Sequence, residues 1–165
     1  MIEVEITQKM KEQAWRKARE MGELKNSITA GDGNICGFVG EFCAQALMGG
    51  IIENTRDYDL VIDGLKYDVK TKRCTSEPQP HYDCSVAAYN TVQKCDRYVF
   101  VRIEQDKKTK RWGRAWVLGW YDKEEYYEYA RFLQKGQKDG DNWFTVKADC
   151  FNIAIEDLFD VRELH

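Results

Sequence analysis

Proline and histidine are scarce in this sequence, and each scarcity excludes a class of protein. The 165 residues include two prolines and two histidines, whereas hydrophobic residues make up 43% and aromatic residues 13%. A chain this rich in apolar side chains forms a hydrophobic core and is not intrinsically disordered. The two histidines are His81, in a proline-containing loop, and His165. Their number and positions argue against acid–base or triad catalysis that depends on histidine.

Long apolar runs are also missing. No stretch reaches the ~18 consecutive apolar residues that a membrane-spanning helix requires, so no membrane partner is expected. Residues 1–5, Met-Ile-Glu-Val-Glu, are acidic and lack the apolar core of a secretion signal. We therefore expect a cytoplasmic protein, and its length predicts a single domain over residues 1–165.

Cysteine is present without the spacing of a Cys-x-x-Cys pair. The six cysteines are Cys36, Cys43, Cys74, Cys84, Cys95 and Cys150. A chain of this length does not need disulfides for stability, so we predict reduced thiols that are mostly buried. The alternative is a structural zinc site formed by Cys74, His81, Cys84 and Cys95, although this spacing matches no common zinc module.

The net charge of −3 does not by itself indicate a nucleic-acid-binding protein, but the basic residues are clustered. One cluster comprises Lys66, Lys70, Lys72 and Arg73, and the other comprises Lys107, Lys108, Lys110, Arg111 and Arg114. A local basic surface on an acidic protein can still follow a phosphate backbone. The candidate substrate contacts are therefore Lys72, Arg73, Lys108, Lys110 and Arg111. The alternative for each cluster is a solvated turn or strand edge.

Hydrophobic periodicity and turn residues predict the order of secondary structure. We predict a helix over 7–21 that Thr7 caps and Gly22 ends, a loop over 26–37, and a second helix from Phe38 to Met48. A hairpin over 57–72, a loop over 74–84 and a short helix over 87–94 follow. We then predict strands over 97–104 and 112–120, a helix from Asp122 to about Leu133, a loop over 134–142 and a strand over 143–147. The tail from Ile153 is expected to dock as a short strand and turn. This order predicts an α/β domain with a mixed sheet.

The predicted hairpin carries the residues with the most informative chemistry. Asp63-Gly64 is a strong two-residue turn signal, and the register that it sets places Asp59 opposite Asp68. Alternation then divides the side chains between two faces. The apolar face, which belongs on the core, carries Tyr58, Leu60, Ile62, Leu65, Tyr67 and Val69. The polar face carries Asp57, Asp59, Val61, Lys66, Asp68, Lys70 and Lys72.

Asp59 and Asp68 would bring two carboxylates together. Opposed residues have Cβ atoms roughly 4.5–5.5 Å apart, and like charges at that distance destabilise a sheet unless they are compensated. A divalent cation would compensate them, and oxygen ligands suit Mg²⁺ or Mn²⁺. Lys70, on the same face, can hold this charge or can place and activate a water molecule. The alternative is the solvated side of an amphipathic hairpin.

Glu41 adds a third carboxylate at the start of the second predicted helix. It follows Gly37-Phe38-Val39-Gly40, in which the glycines allow the backbone to pass close to another segment. A glutamate in a first helical turn also suits the helix dipole, which is the alternative explanation. Together with the hairpin, Glu41 completes an order: a glutamate on a helix, an aspartate beside a strand, a tight turn, and Asp-x-Lys on the next strand.

This order resembles the PD-(D/E)XK nuclease superfamily, whose fold is the restriction-endonuclease-like one, a central mixed β-sheet flanked by helices. The matching segments are Gly37-Phe38-Val39-Gly40-Glu41, Tyr58-Asp59-Leu60-Val61 and Tyr67-Asp68-Val69-Lys70-Thr71-Lys72. Tyr58 replaces the proline that names the family. Asp57 competes with Asp59 because it faces Lys70 in this register, and we prefer Asp59 because it faces Asp68.

The resemblance implies a Mg²⁺ site, which Mn²⁺ can also fill. Asp59 and Asp68 would ligate the ion together with the backbone carbonyl of Val69. Glu41 would complete the shell through water or help to hold a second ion, and Lys70 would orient or activate the attacking water. Some nucleases of this superfamily also have a glutamine after the active-site strand that reaches the site. Gln93 holds that place here, and a surface glutamine is the alternative.

The expected function is Mg²⁺-dependent hydrolysis of DNA phosphodiester bonds by an exonuclease or a structure-specific endonuclease of a bacterial or phage-infected cell. Such catalysis needs no nucleophilic serine or cysteine. Members of the superfamily are often dimers or rings, so a homo-oligomer is a further expectation. The alternatives are a non-catalytic DNA-binding or assembly module on the same fold and an unrelated α/β protein with a charged strand face.

Overall fold

A six-stranded sheet that is covered on both faces organises the protein. The computed structural model describes residues 1–25, 32–53, 55–139 and 144–164. The helices are α1 (Gln8–Lys25), α2 (Asp32–Met48) and α3 (Lys123–Tyr129). The strands are β1 (Ile2–Val4), β2 (Ile51–Ile52), β3 (Leu60–Ile62), β4 (Leu65–Cys74), β5 (Asp83–Ala87), β6 (Arg97–Gln105), β7 (Trp112–Asp122), β8 (Arg131–Leu133), β9 (Lys138–Asp139), β10 (Phe144–Thr145) and β11 (Cys150–Ala154). This content confirms the predicted mixed α/β class.

The main sheet is mixed, as predicted. Its strand order is β1-β7-β6-β4-β3-β2, and β4 and β6 are parallel, whereas the other neighbours are antiparallel. A smaller antiparallel sheet has the order β5-β11-β8, and β9 pairs with β10. The parallel pairing requires a crossover between β4 and β6, and β5 together with the 3₁₀ turn Ala88–Val92 forms it.

Strand alternation gives the main sheet two different apolar faces. Val99 and Val101 on β6 pack with α1 and α2 in one buried cluster. Tyr98 and Phe100 on the same strand pack against the smaller sheet and α3 in a second cluster. In that second cluster the hydroxyl of buried Tyr126 lies within hydrogen-bond distance of two backbone carbonyl oxygens, 2.9 Å from that of Cys84 and 2.7 Å from that of Phe151. Apolar clusters therefore cover both faces of the main sheet. The charged residues of the sheet lie where neither cluster packs.

The predicted hairpin register is confirmed. Leu60 pairs with Tyr67 and Ile62 with Leu65, and the two turn residues Asp63 and Gly64 both have positive φ, at 49° and 83°. Two positive φ angles are the geometry that favours Asp-Gly in a two-residue hairpin loop. Leu60, Tyr67 and Val69 are buried in the first cluster, and Ile62 and Leu65 pack against it, as expected. The prediction was wrong for Tyr58, which packs against the second cluster and lies under the ammonium group of Lys66.

The two N-terminal helices are longer than predicted. Thr7 does cap α1, because its Oγ1 accepts the N–H of Met10 at 3.2 Å, but the helix continues past Gly22 to Lys25. The prediction of a loop over 26–37 was wrong for residues 32–37, which belong to α2, and residues 26–31 lie outside the described residues. The side chains of Ile35 and Cys36 are buried, so tertiary packing outweighs the low helix propensity of the neighbouring glycines.

The C-terminal half departs from the prediction in its short elements. Asp122 caps α3, as predicted, by accepting the N–H of Glu124 at 3.1 Å. The helix ends at Tyr129, however, because residues 131–133 pair with β11. Residues 88–92 form a 3₁₀ turn instead of an α-helix. Strand β11 begins at Cys150, before the predicted tail strand, and β9 lies in the predicted loop.

The structure also shows the state of the cysteines and the character of the helices. All six thiols are free, and four of them are buried. Across the described ranges, no three or more His, Cys, Asp or Glu side chains are arranged to hold a metal ion, so the structure does not assemble the alternative zinc site of Cys74, His81, Cys84 and Cys95. No helix in these ranges combines the length and hydropathy needed to cross a bilayer.

Candidate active site

Three carboxylates from separate elements converge at one place beside β4. Glu41 comes from α2, Asp59 immediately precedes β3, and Asp68 lies on β4. Glu41 and Asp68 are each only 6% exposed, and Asp59 is half-buried. These side chains are therefore not the solvated face of an amphipathic hairpin, because buried acids of this kind carry a desolvation cost.

Asp59 is held against β4 by its backbone and by its side chain. Its N–H donates to the carbonyl of Tyr67 at 2.9 Å, and its Oδ2 accepts the N–H of Val69 at 2.8 Å. The regular pairing of the hairpin ends one residue later, at Leu60 and Tyr67. The Asp59 carboxylate thus takes the place of a backbone partner for β4, which fixes it next to Asp68.

Burial and neighbouring charges raise the pKa of two of these acids, Asp59 and Glu41. Desolvation raises the pKa of Asp59 to about 7, and the negative charges of Glu41 and Asp68 add to this effect. The pKa of Glu41 is also raised, mainly by desolvation, although Lys17 opposes the shift. The Asp68 charge disfavours the ionised form of both Asp59 and Glu41, so negative charge at this place is not fully compensated.

Two lysines partly compensate this charge. Lys70 Nζ lies 2.6 Å from Asp68 Oδ2, and Lys17 of α1 forms an ion pair with Glu41. Lys17 was not predicted from the sequence. Lys17 lies between Ala14 and Ala18, two buried residues of α1, and this position could have indicated a lysine beside the core. The sequence gives no signal that its partner is Glu41.

Gln93 connects the lysine and an acid of the cluster. Its Nε2 donates to Asp68 Oδ1 at 3.2 Å, and its Oε1 accepts from Lys70 Nζ at 3.1 Å. Lys123 donates in turn to the carbonyl of Gln93. Three contacts therefore orient Gln93, which is not a freely solvated surface glutamine.

The donor chemistry of the cluster fits Mg²⁺. Three carboxylates face two ammonium groups, and Asp68 Oδ2 accepts no hydrogen bond within the described part of the chain, although Lys70 is close to it. Oxygen donors with an excess of negative charge suit a hard divalent cation. The side chains that would hold it are Glu41, Asp59 and Asp68. As they are placed here they do not form a metal-binding group, and an ion would have to share them with Lys17 and Lys70.

Asp57 and Arg73 lie away from this cluster. The N–H of Asp57 is bound by Thr55 Oγ1 at 3.2 Å, and its charge acts on the neighbouring Tyr58. Arg73 alternates to the opposite face of β4 from Lys70, where it acts on the thiol of Cys36 on α2. Of the residues predicted on this strand as substrate contacts, Lys72 is the one that shares the face of Lys70.

The second basic cluster forms the exposed loop between β6 and β7. Asp106 Oδ1 accepts the N–H groups of Lys108 and Thr109, at 2.8 and 2.6 Å. Phe100, the β6 partner of Lys70, is five residues from the end of the strand, which corresponds to roughly 16 Å. The structure therefore does not bring Lys108, Lys110 and Arg111 into the carboxylate cluster. The loop borders a separate surface cavity of about 740 Å³, which half-buried Trp112 also lines.

Comparison with known proteins finds no family model and no curated protein that matches this chain.

Removing Lys17 is expected to destabilise the protein in a pH-dependent way. Lys17→Met leaves Glu41 buried without its cation, which costs about 3 kcal/mol of unfolding free energy. Loss of the lysine raises the pKa of Glu41 further, so the cost is absent below the unfolded pKa of a glutamate and grows as the pH rises. Urea denaturation in EDTA at pH 5 and pH 8 measures this difference. The double variant Lys17→Met with Glu41→Gln should recover most of the loss, and equal destabilisation at both pH values would contradict the assignment.

Proposed function

We propose that this protein is a Mg²⁺-dependent deoxyribonuclease with a restriction-endonuclease-like fold. The observation that carries the proposal is the convergence of Glu41, Asp59 and Asp68 with Lys70 at one desolvated place. Uncompensated acids reduce folding stability, and clusters of them with raised pKa values are typical of functional sites. The expected partner is DNA, and the expected place of action is the cytoplasm of a bacterial or phage-infected cell.

The arrangement of elements supports the fold proposal at a coarse level. A helix carries the glutamate, an antiparallel hairpin carries the two aspartates and the lysine, and the next long strand, β6, is parallel to β4. A mixed sheet with helices packed on it agrees with the expected architecture, and the resemblance of residues 37–73 supplies the rest of the assignment.

Each residue has a distinct role in the proposed reaction. Glu41, Asp59 and Asp68 would hold Mg²⁺, which polarises the phosphoryl oxygen and stabilises the leaving oxygen. Lys70 has three N–H donors; Gln93 Oε1 accepts one of them, and the ammonium group forms an ion pair with Asp68. A remaining donor can bind and orient a water molecule for attack on the phosphorus. Gln93 positions Lys70, because its amide group accepts from the ammonium group and donates to Asp68.

The proposal is tested by incubating the full chain with labelled linear duplex, circular duplex and single-stranded DNA. Cleavage is expected with Mg²⁺ and should stop when EDTA removes the ion. Comparison of linear with circular DNA then separates an exonuclease from an endonuclease, because only an exonuclease needs an end. Absence of cleavage on every substrate with Mg²⁺ or Mn²⁺ would refute the nuclease proposal.

One observation favours a second function, a non-catalytic DNA-binding or assembly module on the same fold. Lys17 and Lys70 already pair with Glu41 and Asp68, which compensates part of the charge without a metal ion. A module of this kind would bind DNA in the same assay, with equal affinity in Mg²⁺ and in EDTA, and would leave it intact.

A further inference from the structure

A cavity of about 580 Å³ lies on the face of the main sheet that the smaller sheet covers, and Lys72, two residues after Lys70 on β4, lines it. Its lining includes the polar residues Lys72, Arg102 and Asn152 and the apolar residues Leu133 and Val146. Its volume is larger than a single phosphate group requires. A phosphate with an attached sugar or base can therefore enter it, with the charged part at Lys72 and Arg102.

Two cations stand side by side in this cavity. Lys72 of β4 is the register partner of Arg102 on the parallel strand β6, so both side chains point to the same face. Lys72 is exposed at the opening, whereas Arg102 is only 7% exposed. The Arg102 guanidinium donates to the backbone carbonyl of Asp83 at 2.6 Å, which orients it without neutralising it.

The charge of this pair is balanced only in part, by the Asp83 carboxylate, which also lines the cavity and opposes the effect of Arg102 on Lys72. The nearby Asp83 carboxylate pairs with Arg131 at 3.0 Å, and in the described ranges neither Lys72 nor Arg102 forms an ion pair. Desolvation and the adjacent Arg102 charge lower the pKa of Lys72. Adjacent like charges with one of them buried are unfavourable alone, and an anion between them would relieve the repulsion.

The position of the pair relative to the candidate active site limits what the anion can be. Lys72 follows Lys70 by two residues on the same face of β4, a separation of roughly 6.6 Å along the strand. Successive phosphates of one nucleic-acid strand have a comparable spacing. A strand whose scissile phosphate lies at Lys70 therefore carries its neighbouring phosphate to Lys72.

We propose that the cavity of Lys72 and Arg102 is a subsite for the phosphate group one nucleotide from the scissile phosphate. That this phosphate is the neighbour of a scissile phosphate rests on the proposed nuclease function. That Lys72 and Arg102 bind a nucleotide phosphate does not depend on the nuclease function. Buried Asn152 adds a fixed amide group to the lining of the cavity, because its Oδ1 accepts a hydrogen bond from the hydroxyl of Ser85. The phosphate can be a terminal monoester or an internal diester, and both present the same anionic oxygens.

The test measures binding without catalysis. Thymidine dinucleotides with a 5′-phosphate, with a 3′-phosphate and with neither are titrated by calorimetry into the full chain in EDTA. Lys72→Gln is compared with wild type, and Lys9→Gln, an exposed lysine of α1 on the opposite face of the sheet, is the matched control. Loss of one charge-assisted contact should weaken binding about tenfold or more, and the control should bind like wild type.

The probes separate the two sources of phosphate. If Lys72→Gln weakens only the phosphorylated dinucleotides, the subsite takes a terminal phosphate. If it weakens all three equally, the subsite takes the internal diester. If none of the three changes relative to wild type and Lys9→Gln, the proposal is overturned, whether or not the protein cleaves DNA. Lys72-dependent binding without Mg²⁺-dependent cleavage would leave the subsite standing and remove the nuclease function.

Discussion

Replacing Lys70 by alanine is expected to lower the rate of Mg²⁺-dependent DNA cleavage by roughly 10²–10⁴-fold, the range for a residue that assists proton transfer. The reason is geometric. The ammonium group lies 2.6 Å from Asp68 Oδ2 and 3.1 Å from Gln93 Oε1, so its position is fixed and it keeps a donor that can bind the attacking water. Alanine removes this donor and also leaves Asp68 without its nearest cation. Single-turnover cleavage of a labelled duplex at saturating Mg²⁺ measures the change.

Two comparisons make this prediction specific to the ammonium group of Lys70. Lys66→Ala removes an exposed lysine from the same strand and should retain the wild-type rate within a few-fold. Lys70→Arg keeps the positive charge beside Asp68 but replaces a compact ammonium with a planar guanidinium, which cannot reproduce the same contacts. It should fold with a normal melting temperature and still lose most of the activity. A Lys70→Ala protein that is folded and cleaves at the wild-type rate would exclude Lys70 from the reaction.

Replacing Gly40 by alanine should destabilise the protein by about 1–3 kcal/mol, the cost of inserting a methyl group into a closely packed contact. A Cβ at this position would lie 1.9 Å from Thr71 Oγ1 and 2.9 Å from Thr71 Cβ. Helix α2 would have to move away from β4, and Glu41, the next residue, would move with it. We therefore expect a lower free energy of unfolding in urea together with reduced cleavage.

The same helix provides the control for this substitution. At Gly37 no neighbouring atom of the described residues lies within 4 Å of the place that a methyl group would occupy, so Gly37→Ala should be neutral or should stabilise the helix by about 0.5–1 kcal/mol. Adding Thr71→Ala to Gly40→Ala should recover part of the loss, because it removes the two Thr71 atoms that lie closest to the new methyl group. Equal stability of Gly40→Ala and Gly37→Ala would show that α2 and β4 are not in the close contact described.

The parts of the structure that the sequence predicted well are those that depend on neighbouring residues. The hairpin register follows from Asp63-Gly64 and from alternation over ten residues, and both signals are local. The start of α2 was missed because glycine and asparagine between 31 and 37 indicate a loop by propensity, whereas burial of Ile35 and Cys36 decides the outcome. Local propensity therefore predicts the wrong structure where the burial of side chains contributes the larger free energy.

The candidate site likewise has a part that local sequence predicts and a part that depends on long-range packing. Alternation along β4 places Asp68, Lys70 and Lys72 on one face, and the same rule places Arg73 on the other, so that residue could have been excluded from sequence. The pairing of Lys17 with Glu41 depends on how α1 packs against α2, and the position of Arg102 beside Lys72 depends on a parallel crossover. Contacts between segments so far apart in the chain leave no periodic signal in a single sequence.

The hydrogen bond from the Val69 N–H to Asp59 Oδ2 gives the site a built-in reporter. Any event that draws the Asp59 carboxylate toward a cation must weaken or release this amide, which has the carboxylate as its acceptor. Hydrogen exchange at one backbone position therefore reads the state of the acid directly. In a protein with only two prolines, nearly every amide can be followed in this way, and Val69 would be distinguished as the one whose protection follows the ion rather than global unfolding.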